Sequence, residues 1–483
     1  LAAWALATAA AQAATPVPLA QVDAIFADYD STRTPGCALG VIENGELTLA
    51  RGYGMANLDD GVPLGPGSVF RIASTSKQFT AFSIQLLVDR GLVDLEADIR
   101  SYLPELPAYD PPVKVRHLLN HTSGYRDYLE LNYLAGTRDD DYYTDAEVLD
   151  LLSRQKQLNF APGAEFLYSN SGYFLLGQIV LRVTGRTLRE FAAAEIFAPL
   201  EMRHTHFHDN HREVVAGRAV GYSPTAPGEF EIDLTTLEMI GDGGVFTSVE
   251  DLALWDANFY TPRVGTPATL QRMLEPGRLT SGEAIDYASG LRVSDYRGLR
   301  QVSHGGAFVG YRAQLIRFPD QRLSVVCLCN RSDADPSALA QRVADLYLAE
   351  PLARHLARQQ VAGEDGAIAE AAAEATSEAT QDTPAAAVEA YLPSVETVAR
   401  IAGDYRCDEL MTTVRLRAEG TNLWLAHANP YKDGPAEPLA PSRPNTFASD
   451  ELTLEIDEGE QGEVVDIRLG VGRVRNVFCV PLP

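Results

Sequence analysis

Ser74 and Lys77 stand three residues apart in Ser74-Thr75-Ser76-Lys77, directly ahead of an apolar run. A serine hydroxyl becomes a useful nucleophile only when a neighbouring group removes its proton. Residues three apart on a helix share one face, so a helix beginning at Ser74 delivers the Lys77 amine to the Ser74 oxygen. The chemistry open to such a pair is acyl transfer through a serine ester, followed by attack of water. Tyr168-Ser169-Asn170 supplies a phenol and an amide, and His304-Gly305-Gly306 an imidazole beside two glycines. A phenol ionises near ~10 and an ammonium near ~10.4, so Lys77 and Tyr168 placed together in a cleft titrate as a pair. Which of the two takes the serine proton is left open by the residues. Singly, each part has a bland reading: Tyr168 at a core edge, His304 as a hydrogen-bonded structural histidine, the glycines as a bulge.

The elements needed to hold these groups are visible in the periodicity. Gln78 to Val88 carries apolar residues at helical spacing and Gly91 offers a stop, which predicts an amphipathic helix. The turn-rich run Asn159 to Gly163 leads to Tyr168, and Tyr173 to Val180 reads as an apolar helix. Cys37 to Ile42 and Leu47 to Ala50 flank Asn44-Gly45, a hairpin signal. Gln314 to Phe318 and Leu323 to Cys329 read as strands, with helices predicted over 22–29 and 336–358 and a mostly helical stretch over 95–240. Early and late strands then join one antiparallel sheet with helices on its faces.

S-x-x-K, then Y-x-N, then a basic residue with glycines, in that order, resembles the penicillin-binding serine hydrolases related to class C β-lactamases, D,D-carboxypeptidases, D-aminopeptidases and esterases. Phe70-Arg71-Ile72-Ala73, Leu118 to Gly124 and Gly241 to Ser248 also look like this family, and the likeness covers roughly residues 20–350. The resemblance implies an α/β (α+β) architecture, an antiparallel sheet flanked by helices with a helical subdomain. It implies catalytic roles for Ser74, Lys77, Tyr168, Asn170 and His304, with Asn170 either donating to the substrate carbonyl or holding Lys77. By the same analogy the backbone N–H groups of Ser74 and Ala307 form an oxyanion hole, and Gly305 and Gly306 line the substrate. No cofactor or metal is implied. Related β-lactamases carry lysine where this chain has His304, which is largely neutral above ~6.5. A fixed cation for a carboxylate is therefore weakened. The preferred reading is hydrolysis of small esters or of D-amino-acid-containing peptides and amides. The alternatives are a β-lactamase or D,D-carboxypeptidase, and a penicillin-binding sensor that acylates without turnover.

At 483 residues the chain exceeds one compact core. A net charge of −26 argues against nucleic acid and anionic membrane surfaces as partners, leaving a small molecule or peptide. A homo-oligomer is compatible with the sequence. Residues 1–14 read as the remnant of a secretory signal with Ala11-Gln12-Ala13 as its cleavage signal, which predicts a periplasmic or secreted protein. Residues 20–358 form the predicted hydrolase domain and 359–394 an Ala/Glu-rich linker. Residues 395–483 read as a small all-β domain, similar to the lipocalin-like appendages of some family members. There Val414 and Leu416, Leu452 to Ile456, and Val465, Ile467 and Leu469 alternate with period two. Cys37, Cys327 and Cys329 read as buried free thiols, whereas a Cys407–Cys479 disulfide is an open alternative. Of the histidines at 204, 206, 208 and 211, a polar surface loop is the better reading than a metal site, since no partner carboxylate is evident. His121 is expected to shape a loop beside the cleft, and Gly241 to Gly244 to serve backbone packing.

Overall fold

The computed structural model describes residues 19–138, 141–355, 391–427 and 436–483. The signal remnant and nearly all of the proposed linker lie outside the described residues. Six antiparallel strands form the main sheet, in the order Arg292–Tyr296, Leu299–Phe308, Tyr311–Phe318, Leu323–Cys329, Cys37–Glu43 and Glu46–Tyr53. The first strands of the chain thus pair with the last ones of the domain. Strand Cys37–Glu43 is apolar as far as Ile42 because both of its faces are covered. Leu39 and Val41 pack with Leu339, Val343 and Phe26 on one side, while Ala38 and Ile42 join the larger helical core on the other.

Cys37 lies opposite Cys329 in this pairing, and the two form a disulfide; Cys327 stays a buried free thiol. The expectation of three free thiols is corrected for two of them. Strand periodicity does not reveal which strands are neighbours, and the bond depends on a pairing between the two ends of the domain.

The helix read from Ser74 onward begins as a 3-10 turn, Ala73–Ser76, and becomes α-helical over Lys77–Asp89. In a 3-10 turn residues i and i+3 eclipse, so the Ser74–Lys77 juxtaposition survives the change. This helix is not amphipathic as expected: every residue from Lys77 to Leu87 is buried. It runs through the interior, between Asn170–Thr184, Pro267–Met273 and the short helix Leu188–Ala192.

The C-terminal strands from Gly403–Cys407 to Val474–Pro481 close into an eight-stranded antiparallel barrel. Cys407 and Cys479 form a disulfide on its adjoining first and last strands. Alternation holds for Val414, Leu416, Leu452, Leu454, Ile456, Ile467 and Leu469, all buried. Val465 departs from it and is 49% exposed, because a bulge there shifts the register and turns Val464 toward the core. The barrel is docked on the hydrolase domain through a buried ion pair, Arg126 Nη1 to Glu409 Oε2 at 3.2 Å. Arg126 also donates to the carbonyls of Arg475 and Asn476 at 2.8 and 2.6 Å. Among the described residues no helix is long and apolar enough to cross a membrane.

Candidate active site

Ser74 sits where the strand Phe70–Arg71 turns into the buried helix, and Ala73 before it adopts φ 44°. That left-handed conformation costs a non-glycine residue about 1 kcal/mol or more and is held only by surrounding structure. The surroundings here are tight. A Cβ on Gly306 would meet the Ile72 carbonyl oxygen at 2.1 Å, so glycine is required for the strand to reach the turn. Thr75 Oγ1 donates to the His304 carbonyl at 3.3 Å across the same contact. Strand Arg292–Tyr296 covers its neighbour only as far as Ser303, and residues 304–308 present that edge to the turn. Ala307 is on this edge. Ser74 is in the first turn of the helix, where backbone N–H groups lack intrahelical acceptors.

Lys77 is fully buried, and its Nζ lies 3.2 Å from Ser74 Oγ, 2.8 Å from Asn170 Oδ1 and 2.6 Å from the Asp242 carbonyl oxygen. Asn170 Oδ1 therefore accepts from the lysine, and its amide nitrogen is not engaged by that contact. Burial drives the Lys77 ammonium down to about 8, against the opposing pull of Asp242 and Asp127. The same burial pushes the Asp242 carboxyl up to about 6, with Lys77 acting the other way. Tyr168 spreads its ring 4.8 Å from Lys77 Nζ. Its hydroxyl is buried, and its interaction with Ser74 lowers a phenol pKa that burial otherwise raises above the normal value. That contact falls short of full hydrogen-bond geometry, so the hydroxyl is near the serine without being tied to it.

His304 is buried, with its ring centroid 6.3 Å from that of Tyr168. Its Nδ1 lies 2.6 Å from the Gly305 carbonyl and must donate to it, so Nε2 accepts from the Tyr287 hydroxyl at 2.8 Å. Burial and the Lys77 charge hold the imidazole down to about 3, and it is neutral at every physiological pH. His121 stacks on Tyr168 with ring centroids 4.1 Å apart, and its Nδ1 accepts from the Ser169 N–H at 3.1 Å.

Three contributors lie outside the sequence motifs. Asp242 belongs to the glycine segment read as packing alone; Gly241 does pack, since a Cβ there would strike the Tyr173 carbonyl at 2.4 Å. An acidic residue inside a glycine run was the available signal. Asp127 is wholly buried, and its Oδ2 accepts from the Asn170 N–H at 2.6 Å. Arg473, on the barrel, pairs with Asp127 at 3.2 Å, and no local pattern around it marks it.

The histidine cluster also differs from expectation, because a carboxylate is present. Ligand atoms of His206, His208 and Glu213 lie within 4.8 Å of one another. Arg189, however, grips both Glu213 oxygens at 2.6 and 2.8 Å, and Arg71 and Arg218 also bear on His208. This cationic setting disfavours a metal ion. A surface cavity of about 700 Å³ lined by Phe259, Tyr260, Leu270, Arg300 and Arg317 includes none of the Ser74 site.

A sequence model of the family Beta-lactamase matches residues 22–350. A D-aminopeptidase of Gluconobacter oxydans is 30% identical over 310 residues, 64% of this chain and 58% of that protein. A D-aminopeptidase of Brucella canis is 27% identical over 393 residues, covering 81% of this chain and 74% of that one. The chain thus spans less than two thirds of the length of the first of these relatives. An octameric penicillin-binding protein homologue from Pyrococcus abyssi superposes with a TM-score of 0.61 at 20% identity, over 96% of this chain and 99% of that one. That likeness concerns the fold, and it includes the barrel.

Proposed function

The chain belongs to the beta-lactamase family of penicillin-binding serine hydrolases, and from that premise we propose that it cleaves amides or short peptides of D-amino acids, and small esters, through an acyl-Ser74 intermediate. The observation carrying this is the contact between Ser74 Oγ and a fully buried Lys77 whose ammonium is brought down to about 8. Lys77 takes the Ser74 proton as the oxygen attacks the carbonyl carbon. Tyr168, whose phenol stays protonated, donates toward the leaving nitrogen or oxygen. The backbone N–H groups of Ser74 and Ala307 receive the developing oxyanion, a contribution worth ~10²–10³ in turnover per donor. Water then attacks the ester by the same proton route reversed.

D-Amino-acid substrates are supported by the D-aminopeptidase relatives. A dedicated β-lactamase is disfavoured because neutral His304, with both ring nitrogens occupied, offers no charge to a substrate carboxylate. The disulfides Cys37–Cys329 and Cys407–Cys479 suit an oxidising compartment, so a periplasmic or secreted location forms part of the proposal.

A panel of D- and L-alanine p-nitroanilides, p-nitrophenyl acetate and nitrocefin tests the reading. The expected order is D-anilide and acetate well above L-anilide and nitrocefin. Nitrocefin turned over fastest would replace it with a β-lactamase, and a stable penicilloyl adduct without any turnover would favour the sensor. The pH dependence carries a sign. Lys77 must be neutral to accept a proton, so kcat/KM should rise with pH through about 8 and level off above. A plateau already reached at pH 6 would remove Lys77 from the role of base.

A further inference from the structure

We infer that Arg473, at the tip of the barrel's last hairpin, is a positioning residue of the Ser74 site, acting through Asp127 on Asn170 and through its charge on Lys77 and Tyr168. The inference rests on Ser74 as nucleophile with Lys77 as its base.

The tip joins strands Val464–Val471 and Val474–Pro481. Gly472 turns there at φ 44°, and a Cβ on it would press on the Glu130 carboxylate at 3.0 Å. Asn159 clamps the backbone from both sides, donating to the Arg473 carbonyl at 2.8 Å and accepting from the Arg475 N–H at 2.8 Å. A side chain leaving so firmly held a backbone has little freedom. Arg473 Nε meets Glu130 Oε1 at 2.6 Å, its backbone N–H donates to Glu130 Oε2, and Nη1 lies 3.2 Å from Asp127 Oδ2.

From that point the contacts lead inward. Asp127 Oδ2 accepts from the Asn170 N–H at 2.6 Å, and Asp127 Oδ1 from the Leu129 N–H at 3.1 Å. Asn170 Oδ1 in turn holds Lys77 Nζ at 2.8 Å. The Arg473 guanidinium carbon also lies 5.9 Å from the Tyr168 ring centroid. One arginine from the barrel is therefore three contacts from the proposed base, with Asp127 and Asn170 between, and alongside the proposed acid.

The charges facing Lys77 show why a cation is wanted there. Asp242 and Asp127 both favour the ammonium, and Arg473 opposes it; His304 and His121 are neutral, and Tyr168 and Tyr173 present ring faces at 4.8 and 5.6 Å. Without Arg473, burial alone would oppose the pull of the two carboxylates, and the Lys77 ammonium would persist to higher pH. Tyr168 responds in the same sense, since Arg473 is among the influences lowering its pKa.

A merely structural arginine, docking the barrel and nothing more, predicts something different. The comparison is between Arg473→Met, Arg473→Lys and Arg475→Met in the full-length protein. Arg475 shares the hairpin but pairs with exposed Glu165 at 3.1 Å. The readouts are kcat/KM for p-nitrophenyl acetate and the rate of Ser74 labelling by a fluorophosphonate, from pH 6 to 10. Arg473→Met should lose about 10²-fold in both rates at pH 7. Its acid limb should move upward by about one pH unit, while labelling still reaches completion. Arg473→Lys keeps the charge but not the planar fork, so the limb should stay near the wild-type position while the rate falls. Arg475→Met should keep the wild-type limb. The inference is overturned if Arg473→Met keeps the wild-type limb, or if Arg475→Met shifts it equally. Should Arg473→Met fail to fold, a full-unit shift in Arg473→Lys overturns it instead. Failure of the underlying reading is separately visible in the wild type, where Ser74 would take up no label or the rate would already be level at pH 6.

Discussion

Ser74→Ala is expected to abolish hydrolysis of every substrate that the wild-type protein turns over, by about 10⁴-fold or more, with the melting temperature unchanged. The size follows from the chemistry, because no ester can form without Oγ and the remaining groups can only bind. Stability should hold because Ser74 is only partly buried and its Oγ accepts a single long hydrogen bond from Lys77 at 3.2 Å. The measurement is steady-state turnover beside intact-protein mass after fluorophosphonate treatment. A single adduct on the wild type and none on Ser74→Ala is the required pattern. Turnover surviving in Ser74→Ala would mean that another residue is the nucleophile.

Lys77→Met is the second large effect. It removes the only amine within hydrogen-bond reach of Ser74 Oγ among the described residues, so acylation should fall by about 10³-fold. The fold should nevertheless survive. The change strands two acceptors, Asn170 Oδ1 and the Asp242 carbonyl, but it also relieves the cost of a fully buried charge. Those opposing terms leave a net change of about 1–2 kcal/mol. Stopped-flow acylation with p-nitrophenyl acetate, beside thermal melting, separates the two readouts. A mutant that loses rate only in proportion to lost folded protein would demote Lys77 to a structural role. If Tyr168 were the base instead, Tyr168→Phe rather than Lys77→Met would remove the rise through pH 8.

What could be read from the chain follows the range of the interactions involved. Ser74 and Lys77 meet through one helical turn, so spacing alone places them together, and even the 3-10 start leaves the contact intact. Strand alternation in the barrel is likewise local, and of the residues expected to alternate it fails at Val465, where a bulge inserts a residue. Asp127 and Arg473 are not legible because each meets the site from a distant part of the chain, and Asp242 offers only an acid within a glycine run. The same limit hides the Cys37–Cys329 bond, with a sequence separation of 292 residues, although both strands are legible as strands. His304 illustrates a third case. Its neutrality was legible from its type, but its engagement with Tyr287 and Gly305 depends on a turn no pattern announces.

The buried Arg126–Glu409 pair has a consequence for engineering. Each member sits in a different domain, and deleting one partner of such a pair strands the other in a dry setting at about 3–5 kcal/mol. The two halves of this protein are therefore not exchangeable parts. A chimera that swaps in a foreign barrel would need a matching acid against Arg126, or the recipient half would carry an orphan guanidinium into every fold it attempts.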